Sequence, residues 1–176
     1  FTRATTVIHM RGAGHEGAYL ADTIILASLK PSTHQMAMLS IPRDLAVDIP
    51  NNGTRKINAA NAIGRDADYP GGGQRLTAEI VGQLTNLPIQ YVARIDFRGF
   101  EKLINDVGGV EVTVERSFTD GEYPTTNFGY QTVSFTAGQQ RLNGATALKY
   151  VRSRHGNNGE GSDFARARRQ QKVLAA

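Results

Sequence analysis

Strand-like and helix-like segments alternate along most of this chain of 176 residues, and that alternation limits the folds open to it. Val110, Val112 and Val114 stand at every second position between polar residues, which is the pattern of a half-exposed strand. Shortly before them, Phe100 and Ile104 have the spacing of an amphipathic helix. Elements that interleave in this way pack as layers, so the pattern predicts an α/β domain with a mixed central sheet.

The other elements are predicted from the same two periods and from the turn residues between them. Strands are expected at residues 5–10, 23–29, 36–41, 91–95, 110–114 and 131–135. Helices are expected at 58–62, 76–87, 97–107, 142–151 and from 163 to the end, with Asn58 capping the first and Ser162 or Asp163 the last. The short connection between 23–29 and 36–41 predicts an antiparallel hairpin, and residues 117–129 are expected to be irregular.

One stretch combines a strand pattern with a pair of charges. The apolar residues 36–41 predict a buried strand that stops at Pro42, because proline has no N–H to donate to a sheet. Arg43 and Asp44 follow immediately. In open α/β sheets the carboxyl ends of strands form the edge where ligands bind, so this pair is a candidate site. The alternative is a surface salt bridge, which stabilises a protein only weakly.

Composition excludes some kinds of site and favours others. The chain has no cysteine, so it has neither disulfides nor thiolate–metal sites, and no apolar run reaches the length of a membrane span. It begins with Phe1 rather than methionine, which we interpret as the start of a piece of a longer protein. From residue 141 onward there are eight basic and two acidic side chains, which predicts an anionic partner, either phosphate groups or nucleic acid.

The last predicted helix places cations on a face that also carries an apolar residue. Arg166, Arg169, Gln170 and Val173 share one face, and Asp163 lies one turn before Arg166. The valine indicates that this face points inward, and a buried arginine needs an anion because an unpaired buried charge is costly. The alternative is an ordinary solvated helix face.

A second pair of cations, Arg152 and Arg154, lies between the last two predicted helices. In an extended segment a spacing of two puts both side chains on one side, and guanidinium groups suit two-pronged contacts with phosphate. The alternative is that they only make a loop soluble. The glycine-rich loop at 11–17 resembles a phosphate-binding loop only loosely, since no Lys-Ser/Thr pair follows its glycines, and its His15 is expected to be solvated.

Taken together, these segments resemble the LytR–CpsA–Psr (LCP) domain of bacterial cell-envelope enzymes. The matching segments, in the family's order, are Asp22-Thr23, Leu39-Ser40-Ile41-Pro42-Arg43-Asp44, Lys56-Ile57-Asn58-Ala59-Ala60, residues 91–97 with Gly99-Phe100, residues 106–112, Gly138 with Leu142-Asn143-Gly144, residues 147–148, Tyr150-Val151-Arg152-Ser153-Arg154, and Asp163 with Arg166, Arg169, Gln170 and Gln171. These segments cover nearly the whole chain. Together they are a highly specific signal of the family, although each segment alone is a weak one.

The resemblance implies a three-layer α/β/α fold with an apolar lipid-binding tunnel, and a single catalytic domain over residues 1–176. It implies a phosphotransferase that moves a glycopolymer from a polyprenyl pyrophosphate carrier onto a cell-wall sugar hydroxyl, such as one of peptidoglycan. It also implies a membrane anchor upstream of this chain and a location on the extracytoplasmic face of the cell membrane. Mg²⁺ is the ion that such a domain usually uses.

The resemblance also assigns roles to individual residues. Arg43, Arg152, Arg154 and Asp163 would be catalytic. The side chains that would bind the substrate are Arg43, Lys56, Arg152, Arg154, Arg166, Arg169 and Gln170. Asp22 would hold Mg²⁺, although Leu20 stands where the family usually has an arginine, and the usual second aspartate after the first strand is missing. Magnesium binding is therefore expected to be weak, to use Glu16, or to be absent.

Three other functions compete with transfer. A polyprenyl pyrophosphate hydrolase or an inactive domain that only binds the lipid pyrophosphate would have nearly the same sequence. A nucleic-acid-binding module is a more distant alternative, and it predicts exposed aromatic side chains among the cations. The aromatic residues after position 141 are Tyr150 and Phe164, and both have the pattern of core positions. We therefore expect no nucleic-acid partner.

Overall fold

The computed structural model describes residues 4–11, 20–125 and 127–176. The chain divides into two compact units, residues 1–96 and 97–176. Helices and strands occur in both units, which confirms the predicted α/β class. The predicted loop residues His15 and Glu16 lie outside the described part of the chain. Within that part, no helix is both long enough and apolar enough to cross a lipid bilayer.

The first unit is built on a four-stranded mixed sheet. The strands of this unit are β1 (Ala4–Arg11), β2 (Thr23–Lys30), β3 (Gln35–Ile41), β4 (Ala46–Ile49), β5 (Gly53–Lys56) and β6 (Tyr91–Asp96). The sheet has the order β3-β2-β1-β6, in which β2 is antiparallel to both neighbours and β6 is parallel to β1. β2 and β3 form the predicted hairpin, and β4 and β5 form a separate two-stranded ribbon.

Two helices follow the ribbon, and their apolar residues cover one face of the sheet. They are α1 (Ala60–Asp66) and α2 (Gly72–Thr85). Leu76 and Ile80 of α2 pack in one cluster with Ile24 and Leu26 of β2. The predicted cap is wrong, because α1 begins after a 3₁₀ turn over Ile57–Ala59 and no side chain caps it.

β3 differs from the expected buried strand. It lies at the edge of the sheet, and of its residues only Ile41 is buried, while Leu39 is 54% exposed. An edge strand has one neighbour instead of two, so apolar composition alone does not show that a strand is covered. The apolar run predicted the strand correctly and its burial wrongly.

The second unit combines three helices with two strand pairs. Its elements are α3 (Phe97–Asp106), β7 (Val110–Val114), β8 (Phe118–Pro124), β9 (Tyr130–Phe135), β10 (Gly138–Leu142), α4 (Gly144–Arg152) and α5 (Asp163–Ala175). β7 pairs with β10 and β8 pairs with β9, both antiparallel. Gly108 and Gly109 follow α3 with φ of +82° and +92°, a conformation that favours glycine, so they end the helix where predicted.

β8 replaces the irregular stretch expected at 117–129. Its register with β9 shifts between Asp120 and Tyr123, which interrupts the two-residue alternation by which strands are recognised. The rings of Phe118, Phe135 and Tyr150 pack against one another, with centroids 5.1–6.1 Å apart. Tyr150 is therefore a core residue as predicted, whereas Phe164 is 86% exposed and its predicted burial is wrong.

Candidate functional site

In the first unit, the polarity of the strands brings several of the predicted residues to one edge of the sheet. β1, β3 and β6 run in one direction, so their carboxyl ends lie at the edge where β2 begins. Asp22 immediately precedes β2, and Arg43 follows β3 after Pro42. This edge is where the sequence placed a ligand site.

The side chains at this edge form a chain of alternating charges. Arg43 Nη1 lies 3.1 Å from Asp22 Oδ1, and Arg43 Nε lies 3.4 Å from Asp44 Oδ2. Lys56 Nζ lies 2.7 Å from Asp44 Oδ1. The hydrogen bond from Lys56 lowers the pKa of Asp44 from its ordinary value, and the charge of Arg43 adds to this. Asp44 therefore stays ionised and orients both cations.

Main-chain hydrogen bonds join the three segments that carry these side chains. The Asn58 N–H donates to the Arg43 carbonyl and the Ala21 N–H donates to the Asn58 carbonyl, each at 3.1 Å. The Ile57 N–H donates to the Leu45 carbonyl at 2.8 Å. Because all three bonds are main-chain contacts, the edge is fixed independently of the charged side chains.

In the second unit, and contrary to the prediction, Arg152 and Arg154 do not lie in an extended segment. Arg152 is the last residue of α4 and Ser153 is its C-cap, so the spacing-of-two argument does not apply to them. Arg154 is exposed and Arg152 is half-buried. Their geometry is set instead by groups that the sequence analysis did not identify.

Asp120 of β8 fixes the main chain that carries this pair. Its Oδ2 accepts from Ser153 Oγ at 2.6 Å and from the N–H groups of Arg154 and His155 at 2.9 and 3.1 Å. Its Oδ1 accepts from the Glu122 N–H at 2.9 Å. Burial raises the pKa of this carboxyl, but the four hydrogen bonds outweigh burial and leave the pKa lowered. Asp120 is therefore an ionised, buried anchor for residues 153–155.

The guanidinium of Arg152 contacts two aromatic residues. Its Cζ lies 4.0 Å from the ring centroid of Phe97 and 5.4 Å from that of Tyr123. Its Nη1 donates to Tyr123 Oη at 3.2 Å. Burial raises the pKa of Tyr123, so the phenol stays neutral. Arg152 is thus held by two uncharged partners.

The last helix brings Asp163 and Arg166 together. The side chain of Ser162 caps α5 by accepting from the Ala165 N–H, which confirms one of the two predicted caps. Arg166 Nη1 lies 2.7 Å from Asp163 Oδ1, with the Arg166 side chain 11% exposed and the Asp163 side chain 77% exposed. Asp163 therefore orients Arg166 and also faces solvent.

Arg169 is buried as predicted, but its anion lies within the protein. Its Nη1 contacts Glu160 Oε2 at 2.7 Å, and the guanidinium also donates to the carbonyls of Glu160, Tyr150 and Ser153. Two of these carbonyls lie at the C-terminal end of α4, where helix carbonyls have no partner within the helix. This network gives Arg169 a structural role, and its role as a substrate ligand stays a prediction.

Gln170 lies beside Arg169 and also contacts α4. It is buried, and its Nε2 donates to the Val151 carbonyl at 3.3 Å. Lys172, on another face of α5, contacts Glu115 at 2.6 Å. The inward face predicted for α5 is confirmed, and its polar residues attach α5 to the end of α4 that carries Arg152.

Few of the residues that the structure describes could hold a metal. Among the described residues, no group of three or more histidine, aspartate or glutamate side chains is arranged to bind an ion. Asp22, the predicted ligand, is paired with Arg43, and Leu20 is 40% exposed nearby in sequence. The described residues alone therefore do not form a site built entirely from protein ligands. A single carboxylate does fit Mg²⁺ that is bound mainly by phosphate oxygens and water.

Comparison with known proteins yields a family and several structural relatives. A polyisoprenyl-teichoic acid–peptidoglycan teichoic acid transferase, TagU of Oceanobacillus iheyensis, is 37% identical over 156 residues, which are 89% of this chain and 44% of that protein. The crystal structure of TagV from B. subtilis has a TM-score of 0.72 and 32% identity, covering 98% of this chain and 62% of that one. TagT (YwtF) with bound octaprenyl pyrophosphate lipid has a TM-score of 0.70 and 27% identity, covering 99% and 62%.

The match extends over almost all of this chain but not over all of its relatives. The chain spans less than half the length of the curated relatives it matches. A sequence model of the LytR_cpsA_psr family matches residues 9–176, which include every site residue discussed above. The chain therefore belongs to the LytR_cpsA_psr family.

Proposed function

We propose that this chain is the catalytic domain of a membrane-anchored, extracytoplasmic phosphotransferase. Its donor is a glycopolymer on a polyprenyl pyrophosphate, and its acceptor is a sugar hydroxyl of the cell wall, such as one of peptidoglycan. Two of the relatives, TagU and TagV, are named as teichoic acid transferases, and a solved structure of a third, TagT, has octaprenyl pyrophosphate lipid bound. These names support the same class of reaction for this chain.

The observation that carries the proposal is the environment of Arg152. Its guanidinium is half-buried and fixed, yet its contacts within the described residues are a phenol and aromatic faces rather than a carboxylate. A cation needs an anion when it leaves water, and here no described side chain supplies one. A pyrophosphate would supply the missing charge.

The other cations support the same substrate. Arg43 and Lys56 lie at the sheet edge of the first unit, and Arg154 and Arg166 lie in the second. A pyrophosphate carries several negative charges, and phosphoryl transfer is catalysed mainly by positioning and by electrostatic stabilisation. We propose that Arg154 and Arg166, together with Arg152 of the same unit, bind its oxygens in bidentate contacts, with Gln170 supporting the α4 end.

The proposed reaction is a displacement at phosphorus. The acceptor hydroxyl oxygen forms a bond to the phosphorus that carries the glycan, and the bond to the bridging oxygen breaks. Polyprenyl monophosphate leaves with that oxygen, and the acceptor and glycan become joined by a phosphodiester. The hydroxyl proton passes to a base, and Asp163 is our candidate because its carboxylate is exposed beside Arg166.

Magnesium enters the proposal through Asp22 alone. One carboxylate is enough for an ion that is bound chiefly by phosphate oxygens and water. Such an ion would neutralise charge that develops on the leaving phosphate. Arg43, which pairs with Asp22 at 3.1 Å, would place a second positive charge beside the same carboxylate.

Uncovered apolar side chains support a lipid tunnel within the proposed three-layer fold. The sheet register puts Leu39 of β3, Leu26 of β2 and Val92 of β6 on one row across the sheet. Leu26 packs with the apolar residues of α2, but Leu39 and Val92 are 54% and 37% exposed. Leu84, one turn beyond Ile80 of α2, is also exposed. We propose that a polyprenyl chain covers this row.

The test is to incubate the purified protein with a polyprenyl pyrophosphate, with and without Mg²⁺, and to measure released polyprenyl monophosphate. Arg43→Ala is expected to abolish release, while Arg55→Ala, which removes an exposed arginine of β5, is expected to leave it unchanged. Adding a glycan acceptor then separates transfer from hydrolysis by the product formed. Folded wild-type protein that releases nothing would refute the proposal.

A further inference from the structure

The guanidinium of Arg152 is fixed by contacts that do not neutralise it. The nearer ring, Phe97, is the first residue of α3, and its centroid lies 4.0 Å from Arg152 Cζ. Tyr123, on β8, is 4% exposed and accepts a hydrogen bond from Nη1 at 3.2 Å. A carboxylate in either place would cancel the positive charge, whereas an aromatic face attracts a cation and leaves its charge in place.

Among the described residues, this arrangement also leaves most of the guanidinium donors of Arg152 available. An arginine has five N–H donors, and the phenol accepts from one nitrogen. The remaining donors can form the two parallel hydrogen bonds that arginine makes with phosphate. An arginine side chain loses much conformational freedom when it is ordered, and ordering it before the ligand arrives removes that cost from binding.

We propose that Phe97 and Tyr123 are positioning residues that hold the Arg152 guanidinium in place for a pyrophosphate group. The inference rests on the proposed function, and it adds two residues that act through Arg152 rather than on the substrate. Asp120 has a different task, because it fixes the main chain of residues 153–155 while the two rings fix the side chain of Arg152.

The experiment removes each contact separately and measures binding of inorganic pyrophosphate by titration calorimetry. Tyr123→Phe deletes the hydrogen bond and keeps the ring, and Phe97→Leu deletes the aromatic face and keeps an apolar side chain. Each is expected to weaken binding by about tenfold, because Tyr123→Phe loses a hydrogen bond to a charged group and Phe97→Leu loses a cation–π contact of similar strength. Phe97→Tyr keeps the aromatic face and is expected to bind about as tightly as the wild type.

Two exposed aromatic residues of the same unit supply matched controls. Tyr130 is 70% exposed and Phe128 is 91% exposed. Tyr130→Phe and Phe128→Leu make the same chemical changes away from Arg152, and both are expected to leave pyrophosphate affinity unchanged. A loss of affinity in these controls equal to that in the test variants would overturn the proposal.

An NMR signal distinguishes positioning from a general structural role. The Nε–H resonance of Arg152, identified by its absence in Arg152→Lys, should be shifted by the ring current of Phe97. Phe97→Leu is expected to move this resonance while the unfolding midpoint stays nearly constant. A resonance that does not move, with unchanged affinity, would overturn the proposal.

Arg152→Lys distinguishes the proposed substrate-binding role of Arg152 from the positioning role of Phe97 and Tyr123. If this variant binds pyrophosphate as tightly as the wild type, the proposed function of Arg152 fails, and the positioning role fails with it. If Arg152→Lys loses affinity but Tyr123→Phe and Phe97→Leu do not, the positioning role alone is overturned. Loss of affinity in all three variants supports both the substrate-binding role of Arg152 and the positioning role of the two aromatic residues.

Discussion

Replacing Asp120 by asparagine is expected to destabilise the protein strongly although the two side chains have nearly the same shape. The carboxylate is 1% exposed and accepts four hydrogen bonds, three at Oδ2 and one at Oδ1. An amide has only one acceptor oxygen, and its NH₂ group must then face an N–H donor. If the amide oxygen takes the position of Oδ2, the Glu122 N–H loses its partner.

The size of the destabilisation follows from the number of hydrogen bonds that are lost or weakened. One unsatisfied buried donor costs about 1–3 kcal/mol, and each of the three remaining bonds weakens when its acceptor loses its charge. Relief from burying a charge offsets part of the loss, so we expect a net destabilisation of about 3 kcal/mol. For a chain of this length that corresponds to a fall of roughly 6–12 °C in the unfolding midpoint.

The pH dependence identifies the cause. Because the pKa of Asp120 is lowered from its ordinary value of 3.8, its ionised form stabilises the protein fully above that value. The contribution is lost as the pH falls through the folded-state pKa. Thermal unfolding of the wild type and Asp120→Asn is therefore expected to differ at pH 7, and the difference is expected to start shrinking as the pH falls below 3.8.

The matched control is Asp106→Asn, which changes an exposed carboxylate whose partner is Lys102. Its effect is expected to stay within about 0.5 kcal/mol. A difference between wild type and Asp120→Asn that is constant from pH 7 to pH 3 would refute the reasoning, and so would the absence of any difference at pH 7.

Three further results are expected. Glu160→Gln leaves buried Arg169 with neutral partners only, so chemical denaturation should show a loss of about 3 kcal/mol, and an unchanged midpoint would contradict the structural role of this pair. Leu39→Asp should weaken binding of a long polyprenyl pyrophosphate but not of inorganic pyrophosphate in paired titrations, and equal weakening of both would argue against a lipid contact. Asp22→Asn should raise the magnesium concentration needed for half-maximal turnover, and an identical magnesium titration would remove Asp22 from the metal proposal.

The sequence predicted the elements whose patterns are local. The hairpin of β2 and β3, the helix that ends at Gly108 and the alternating strand at Val110–Val114 were all predicted from periodicity and turn residues. β8 was missed because its register shift breaks the alternation, and because Asp120, an acidic residue, points inward. A buried carboxylate becomes recognisable only when its distant donors are known.

The same limit explains the mixed outcome for the arginines. The spacing of Arg166, Arg169 and Val173 correctly predicted an inward face of α5. It did not identify the anion of Arg169, because Glu160 and the carbonyls at the end of α4 reach that guanidinium only through tertiary packing. Phe97 and Tyr123 were not predicted as neighbours of Arg152 for the same reason.

The polar loop after Arg154 has a consequence for how this domain tolerates change. The Asn157 N–H donates to the Thr119 carbonyl at 3.1 Å, and Asn157 Oδ1 accepts from the Thr119 N–H at 2.8 Å. Asn158 Nδ2 donates to the Ser117 carbonyl at 2.9 Å. These exposed asparagines continue along β8 the attachment that Asp120 begins. A residue inserted anywhere from 153 to 158 would break part of this attachment to β8, so solvent exposure is a poor guide to which of these positions can vary.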